Sequence, residues 1–457
     1  DDDGAADLDA VFADGFSEAP DGIGAGLLSY QGAVFYACMP NLWRLHDRDG
    51  DGRAERRAAL SSGYGVRVAL LGHDLHGLRI GPDGRLYFTC GDRGFNVLTQ
   101  EGERIEHWDT GAVLRCELDG SGLEVFATGL RNPQELAFDD HGELFTGDNN
   151  SDGGDRARIV HVVEGSDSGW RQAYQWITQP VLRGPWNAER MWLPAWDDQA
   201  ANLLPPIANL ADGPSGFASY PGTGFGPGWA GRFFLVDFRG APEISGIHAF
   251  TLEPRGASYA LGPVERFLWN VLATDADFGP DGALWLTDWV EGWNKTGKGR
   301  IYRVQSADAA ARREAEATRR LLAVGMRARA VPELAQLLTH PDRRVRQEAQ
   351  FALVGHGDEG AKALAEAANL SDDLRARLHG VWGLGMVART QEPAWADVVL
   401  GAALGVTVYW TVACLWTVRA ARGAAGWDLP KEEQYWVVLP IIAFWGALSL
   451  ILLLFGF

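Results

Sequence analysis

The chain of 457 residues carries 41 Lys and Arg against 60 Asp and Glu, a formal net charge of −19, which excludes the basic face that a nucleic-acid partner needs. Its 57 glycines and 19 tryptophans predict tight turns and aromatic layers, a mainly β body rather than a helical one. Four scattered cysteines (Cys38, Cys90, Cys116, Cys414) exclude a disulfide scaffold and a zinc site, and without a CxxCH no c-type haem attaches within the chain.

The opening Asp1-Asp2-Asp3-Gly4 reads as the middle of a loop, so the chain is expected to be truncated at its N-terminus. Asp1, Asp3, Gly4 and Asp7 recur as Asp49, Asp51, Gly52 and Glu55 in DRDGDGRAE. With Asp47 added, this is the start of a calcium loop: oxygen ligands on alternate residues and a glycine at the sharp turn. The closing Glu of an EF-hand is absent, because Ala58 holds the twelfth position. Calcium at Asp47, Asp49 and Asp51 therefore competes with a plain Asx turn.

An apolar residue, a glycine turn and an alternating strand recur at LLSYQGAVFYA, LRIGPDGRLYFTCGD, LAFDDHGELFTGD, WAGRFFLVD and ADFGPDGALWLTD, with turn glycines Gly32, Gly84, Gly142, Gly231 and Gly282. Intervals of about 50 residues, with one longer, are those of four-stranded propeller blades. The longer interval predicts an insertion over 172–215, rich in Trp and Pro. Five turns after an abrupt start predict a six-bladed-type β-propeller over 1–304 with its first blade missing. A β-sandwich with irregular hairpins is the competing fold.

From 305 to 392 the text changes to Ala, Leu, Arg and Glu at helical spacing. PELAQLLTHPDRRVRQEAQFALVGHG pairs two helices across a His-Pro-Asp turn, with Val345, Ala349, Ala352 and Leu353 on one face. AKALAEAANLSDDLRARLHGVWGLGMVA repeats the plan, and the pair resembles HEAT repeats. On that reading His340, His356 and His379 are structural. Two uncharged stretches, 398–418 and 435–457, are each long enough to cross a bilayer, so 393–457 reads as a transmembrane helical hairpin. Arg419, Arg422 and Lys431 in the short connection place that loop in the cytoplasm and the propeller on the periplasmic or extracellular side.

The candidate chemistry lies in two stretches. GHDLHGLRIGPDGRLYFTCGDRGFN sets His73 and His76 ahead of a blade strand, and GLRNPQELAF supplies Arg131 and Asn132, followed by the acidic run Asp148, Asn149, Asn150, Asp152 and Asp155. A base, a fixed cation and an amide suit removal of a hydroxyl proton during hydride transfer from an alcohol. The acidic run suits a metal, or a solvated Asx-rich turn.

These stretches resemble the signature regions of the glucose/sorbosone dehydrogenase family, six-bladed propellers that use pyrroloquinoline quinone (PQQ) and calcium. TGDNNSDGGDRARIVHVVEGSDSGWR and DFGPDGALWLTDWVEGWNKTGKGRIYRV resemble, more closely, the membrane-bound dehydrogenases of the PVC-type haem-binding group, in which HEAT repeats follow the propeller. The resemblance implies His73 as general base and Arg131 and Asn132 on the quinone, which makes His73 and Arg131 the expected catalytic residues and Asn132 a cofactor-binding one. Because PQQ carries carboxylates, Lys298 and Arg300 are the late cations expected near it, with calcium at Asp148, Asn150 and Asp152. The implied activity is a membrane-anchored quinoprotein dehydrogenase oxidising a sugar, aldehyde or alcohol, with a cytochrome or membrane respiratory component as electron acceptor. The alternative is a non-catalytic, membrane-tethered module binding glycans or protein partners.

Overall fold

The computed structural model describes residues 10–66, 72–152, 155–173, 203–292 and 297–390. Within them, five antiparallel sheets follow one another along the chain. The first holds β1 (Gly26–Tyr30), β2 (Ala33–Cys38), β3 (Asn41–His46) and β4 (Arg56–Ser62). The second holds β5 (Leu75–Ile80), β6 (Leu86–Cys90), β9 (Gly111–Cys116) and β10 (Glu124–Leu130), with the separate hairpin β7 (Phe95–Leu98) and β8 (Arg104–His107) inserted after β6. The third is β11 (Leu136–Phe138), β12 (Leu144–Asp148), β13 (Arg158–Val162) and β14 (Ala208–Asn209). The fourth is β15 (Pro214–Ser219), β16 (Arg232–Asp237), β17 (Gly246–Arg255) and β18 (Ser258–Trp269), and the fifth is β19 (Ala273–Phe278), β20 (Leu284–Asp288) and β21 (Arg300–Val304). Each is a propeller blade.

The five turn glycines expected from the sequence all fall between the first and second strands of a blade, and all five have left-handed φ, between 72° and 83°. A side chain there would strain the turn. The longer interval is explained differently from the expectation. Asn209 pairs with Arg158 as the fourth strand of the third blade, and β15 begins at Pro214, so the tail of the inferred insertion belongs to blades. Residues 174–202 lie outside the described residues, as do Asp1, Asp3, Gly4 and Asp7.

Strand periodicity of two builds the core between blades, because neighbouring residues face opposite sides. In β6, Phe88 packs toward the first blade with Phe35 and Tyr64, while Tyr87 packs toward the third with Phe126 and Phe138. In β12, Phe145 turns to the fourth blade with Phe217, Phe233 and Phe250. In β16, Phe234 turns to the fifth with Phe225 and Phe278. Each such aromatic contributes about 1.5–3 kcal/mol on burial. Consecutive blades pack in this way, but among the described residues no comparable packing joins the fifth blade to the first. There Leu27 and Ile301 are 71% and 70% exposed. Arg79 on β5 nevertheless reaches Asp277 on β19, Nη1 to Oδ2 2.6 Å.

Five helices follow: α1 (Ala309–Val324), α2 (Val331–Leu337), α3 (Arg343–Gly355), α4 (Gly357–Leu370) and α5 (Leu374–Thr390). The predicted face of α3, Val345, Ala349, Ala352 and Leu353, is buried. The start of α3 seals the turn side of the propeller. Gln347 Nε2 donates to the carbonyls of Ile80 and Gly81, and Gln350 Nε2 to that of Pro82, in the second blade. Arg343 bonds the Phe138 carbonyl and Arg346 bonds Asp140 in the third blade. Thr223 donates to Asp342 from the fourth, and Arg344 Nη1 reaches the Gly279 carbonyl of the fifth at 2.6 Å. Arg327 completes the set by donating to Gln31 in the turn of the first blade. Turn carbonyls lack sheet partners, so buried donors must supply them. His379 belongs to the same layer: its Nδ1 lies 2.7 Å from Gln350 Oε1, and burial with neighbouring arginines pushes it down to about 3, so it is a neutral, structural group.

Among the described residues no helix is long and apolar enough to cross a membrane, and the stretches 398–418 and 435–457 lie outside them. One compact unit ends at Gly383 and a second begins at Leu384.

Asp342 is fully buried, caps α3 through the Arg344 N–H at 2.9 Å, pairs with the Arg344 guanidinium and accepts from Thr223. Replacing it with Ala is expected to cost about 3 kcal/mol, since it strands a cation and a cap together. Urea unfolding checks this, and a loss below about 1 kcal/mol would show that the helical layer does not depend on the seal.

Candidate active site

At the end of the blades opposite the turns, each second strand from the second blade onward finishes beside a buried Asp: Asp92, Asp148, Asp237 and Asp288. A buried carboxylate must collect donors. Asp148 accepts from the backbone N–H groups of Arg131 and Asn132, and Asp237 from those of Asp212 and Gly213, in each case the loop entering the same blade. Asp288 accepts from the Val290 N–H.

Asp92 departs from this pattern. The loop entering its blade turns through Gly72 and His73, both with left-handed φ, and presents the His73 side chain in place of peptide N–H groups. His73 Nδ1 lies 2.8 Å from Asp92 Oδ1, and Trp170 Nε1 donates to Asp92 Oδ2 at 2.8 Å. Asp92 is 1% exposed, and its own N–H bonds the Arg131 carbonyl at 2.7 Å. With Nδ1 held as a donor by the carboxylate, Nε2 is the basic nitrogen of His73. A left-handed non-glycine residue costs of order 1 kcal/mol or more, and the Asp92 contact holds it in place. Gly91 is part of the device, since a Cβ there would sit 2.5 Å from the His73 backbone.

Arg131 and Asn132 approach from the third blade. The Gly72 Cβ position lies 3.8 Å from Asn132 Nδ2, which brings the Asn132 amide to the Gly72-His73 turn. The Arg131 guanidinium stacks 5.6 Å over Trp170, donates to the Asn150 carbonyl at 2.7 Å and pairs with Asp152. Its Nε is buried without a hydrogen-bond partner, and Asn132 Oδ1 and His76 Nε2 are buried with no well-formed hydrogen bond beyond the side-chain interaction of Asn132 with His76, a concentration of unmet polarity that suits a bound polar molecule or ordered water. His76 is 5% exposed, and burial pushes it down to about 4, so it is a poor proton acceptor near neutrality.

The acidic run does not present the cation site expected of it. Asp148 pairs with Arg158 in addition to its two backbone donors, Asp152 pairs with Arg131, and Asp155 accepts from Ser151. Asn150 Oδ1 accepts from the Asp152 N–H. Carboxylates already matched by guanidinium and N–H groups do not fit calcium, so Asp148, Asn150 and Asp152 are reassigned to holding Arg131 and its loop. Lys298 and Arg300 are exposed, and Arg300 stands 3.7 Å from Asp288 on the fifth blade. The described contacts bring neither to His73 or Arg131. In the β3–β4 loop, Asp47, Asp49, Asp51 and Glu55 do converge, with ligand atoms within 4.8 Å of one another. Asp47 also accepts from the Gly50 and Gly52 N–H groups.

Asp92 and Trp170 were missed by the sequence reading. The repeated signal was present, however, as an Asp closing CGD, TGD, LVD and LTD at the second strand of every blade from the second onward.

His76 gives a pH test. Its folded value lies below the ordinary 6.5, so the unfolded chain binds the proton more tightly. The stability it contributes is full above pH 6.5 and is lost as pH falls toward 4, by roughly 3 kcal/mol. Asp74, raised to about 6 by burial against the opposing pull of Arg93, works the other way over the same range. His76→Gln isolates the first effect: between pH 7 and pH 4.5 the parent is expected to lose more stability than the variant in urea titrations. Parallel losses would show that His76 is not buried neutral.

The chain is 32% identical over 124 residues to quinoprotein glucose dehydrogenase B of Acinetobacter calcoaceticus. That match spans 21% of this chain and only 26% of that relative. Similar solved structures include the PQQ-bound form of an aldose sugar dehydrogenase from Streptomyces coelicolor, at 20% identity over 63% of this chain and 81% of that one, with a TM-score of 0.42. The soluble aldose sugar dehydrogenase of Escherichia coli in its apo form overlaps at 17% identity over 60% and 75% of the two chains, with a TM-score of 0.40. Residues 1–308 match the model described as a domain of unknown function, DUF7133, and the chain belongs to that family.

Proposed function

We propose that the chain is a PQQ-type dehydrogenase of a sugar, aldehyde or alcohol, with His73 as the general base. The observation that carries this reading is the Asp92-held imidazole of His73 beside the poorly satisfied polar atoms of Arg131, Asn132 and His76. Those atoms fit a polar, oxygen-rich ligand. His73 Nε2 takes the substrate hydroxyl proton as the hydrogen on the same carbon departs with the C–H electron pair, which converts an alcohol to a carbonyl. A quinone held here would supply the hydride acceptor. Asp92 keeps the imidazole in the tautomer with Nε2 unprotonated and stabilises the imidazolium that forms. Asn132 offers an amide to the ligand, and Arg131 holds the pocket wall through Trp170 and its loop.

The setting proposed for this activity is a propeller outside the cytoplasm, anchored by 398–418 and 435–457, with a cytochrome or membrane respiratory component receiving electrons. Calcium is proposed at Asp47, Asp49 and Asp51, with Glu55 added, as a structural ion remote from the chemistry. Calcium titration is expected to raise Tm in the parent and not in Asp49→Asn; equal responses remove the ion from this loop.

His73→Ala is expected to lower turnover about a hundredfold or more with cofactor affinity nearly unchanged. Asp92→Asn is expected to lower kcat with little change in KM and to shift the acidic limb of the pH profile, where the base is protonated, which a purely structural role would not do. An active protein indifferent to both changes, or one that responds only to His76→Gln, contradicts the assignment.

A further inference from the structure

A second site with a different chemistry lies on the turn side of the propeller, where the fifth blade meets α1. A cavity of about 340 Å³ opens there, lined from the propeller by Asp281, Arg303 and Gln305 and from the helix by Arg312, Glu316 and Arg319. Such a volume is in the range of small-molecule sites. Positions 312, 316 and 319 fall on one helical face. On the propeller side, Arg303 on β21 is held beside Asp281, and the Asp281-Gly282 turn is pressed so closely to Gly224 and Ala315 that a Cβ on Gly282 would lie 2.7 Å and 2.8 Å from them.

Three guanidiniums thus face two carboxylates, in a chain whose net charge is −19. The carboxylates are already engaged: Asp281 Oδ2 accepts from Arg303 Nε at 2.8 Å, and Glu316 takes Arg319 through two bonds and Arg320 through a third. Arg312 pairs with no carboxylate among the described residues and donates only to the Ser306 carbonyl, at 3.1 Å. The cavity therefore keeps an excess of positive charge, carried on planar donors suited to oxyanions.

We propose that this cavity binds the phosphate group of a small phosphorylated molecule, with Arg312 as its principal contact and Arg303 and Arg319 flanking it. A phosphate dianion offers more acceptor oxygens and more charge than a single carboxylate, which matches three converging guanidiniums better. Because the site joins α1 to the fifth-blade turn, occupancy stabilises the junction between helices and propeller. It lies at the opposite end of the blades from His73, so it is independent of the dehydrogenase reading.

Inorganic phosphate, titrated at constant ionic strength against chloride and succinate, provides the test, read by calorimetry and by Tm on the full chain. Saturable binding that raises Tm is expected, weakened at least about tenfold by Arg312→Glu. It should be retained by Arg377→Glu, the same charge change at an exposed position of α5, and succinate should be weaker than phosphate. Absence of a saturable response, or an equal response in Arg312→Glu and the parent, overturns the site. Succinate binding as tightly as phosphate overturns the choice of ligand.

Discussion

A carboxylate buried at the end of a strand has to be given hydrogen-bond donors, and this requirement shapes the functional end of the propeller. In the third and fourth blades the donors include peptide N–H groups of the loop entering the blade, with the Arg158 guanidinium added at Asp148 and His248 Nε2 3.5 Å from Asp237, so both acids tie that loop to its own blade. In the second blade the donors are side chains, the imidazole of His73 and the indole of Trp170. The same structural demand thereby yields an oriented base. Trp170 in turn carries the Arg131 guanidinium, so one buried carboxylate connects the loops of two blades.

The other end of the blades is organised by a complementary need. Hairpin turns repeat with every blade and expose carbonyls, and the arginines and glutamines of α3 answer them in the second, third and fifth blades. This explains why the helices and the propeller share one compact unit through Gly383. Helical cover on the turn side leaves the strand-end loops, where His73, Asp92 and Asn132 lie, as the other end of the blades.

Much of this was legible in the sequence. Five turn glycines marked five blades because a left-handed turn tolerates little else, and the apolar face of α3 was read correctly from its 3.6-residue period. The His73 loop and the Arg131-Asn132 pair were visible as polar groups beside strands, and the structure places the Asn132 amide at the Gly72-His73 turn. What could not be read was partnership. Asp148, Asn150 and Asp152 look like metal ligands in a linear text, and only the fold shows Arg131 and Arg158 lying against them. Asp92 looks like one more strand-end acid until His73 and Trp170 arrive from distant segments. Glu55 stands at the ninth position of the loop counted from Asp47, and the β3–β4 hairpin brings it back onto Asp47, Asp49 and Asp51 although the twelfth position is Ala58.

The central claim is that the His73, Asp92 and Asn132 constellation is a quinone-dependent active site. Titration of the purified full chain with PQQ, followed by quinone absorbance and then by reduction of an artificial electron acceptor with an aldose present, tests it most directly. The account predicts saturable one-to-one binding and acceptor reduction that is lost in His73→Ala while the absorbance change remains. Absence of any saturable change in quinone absorbance, with and without added calcium, would contradict it.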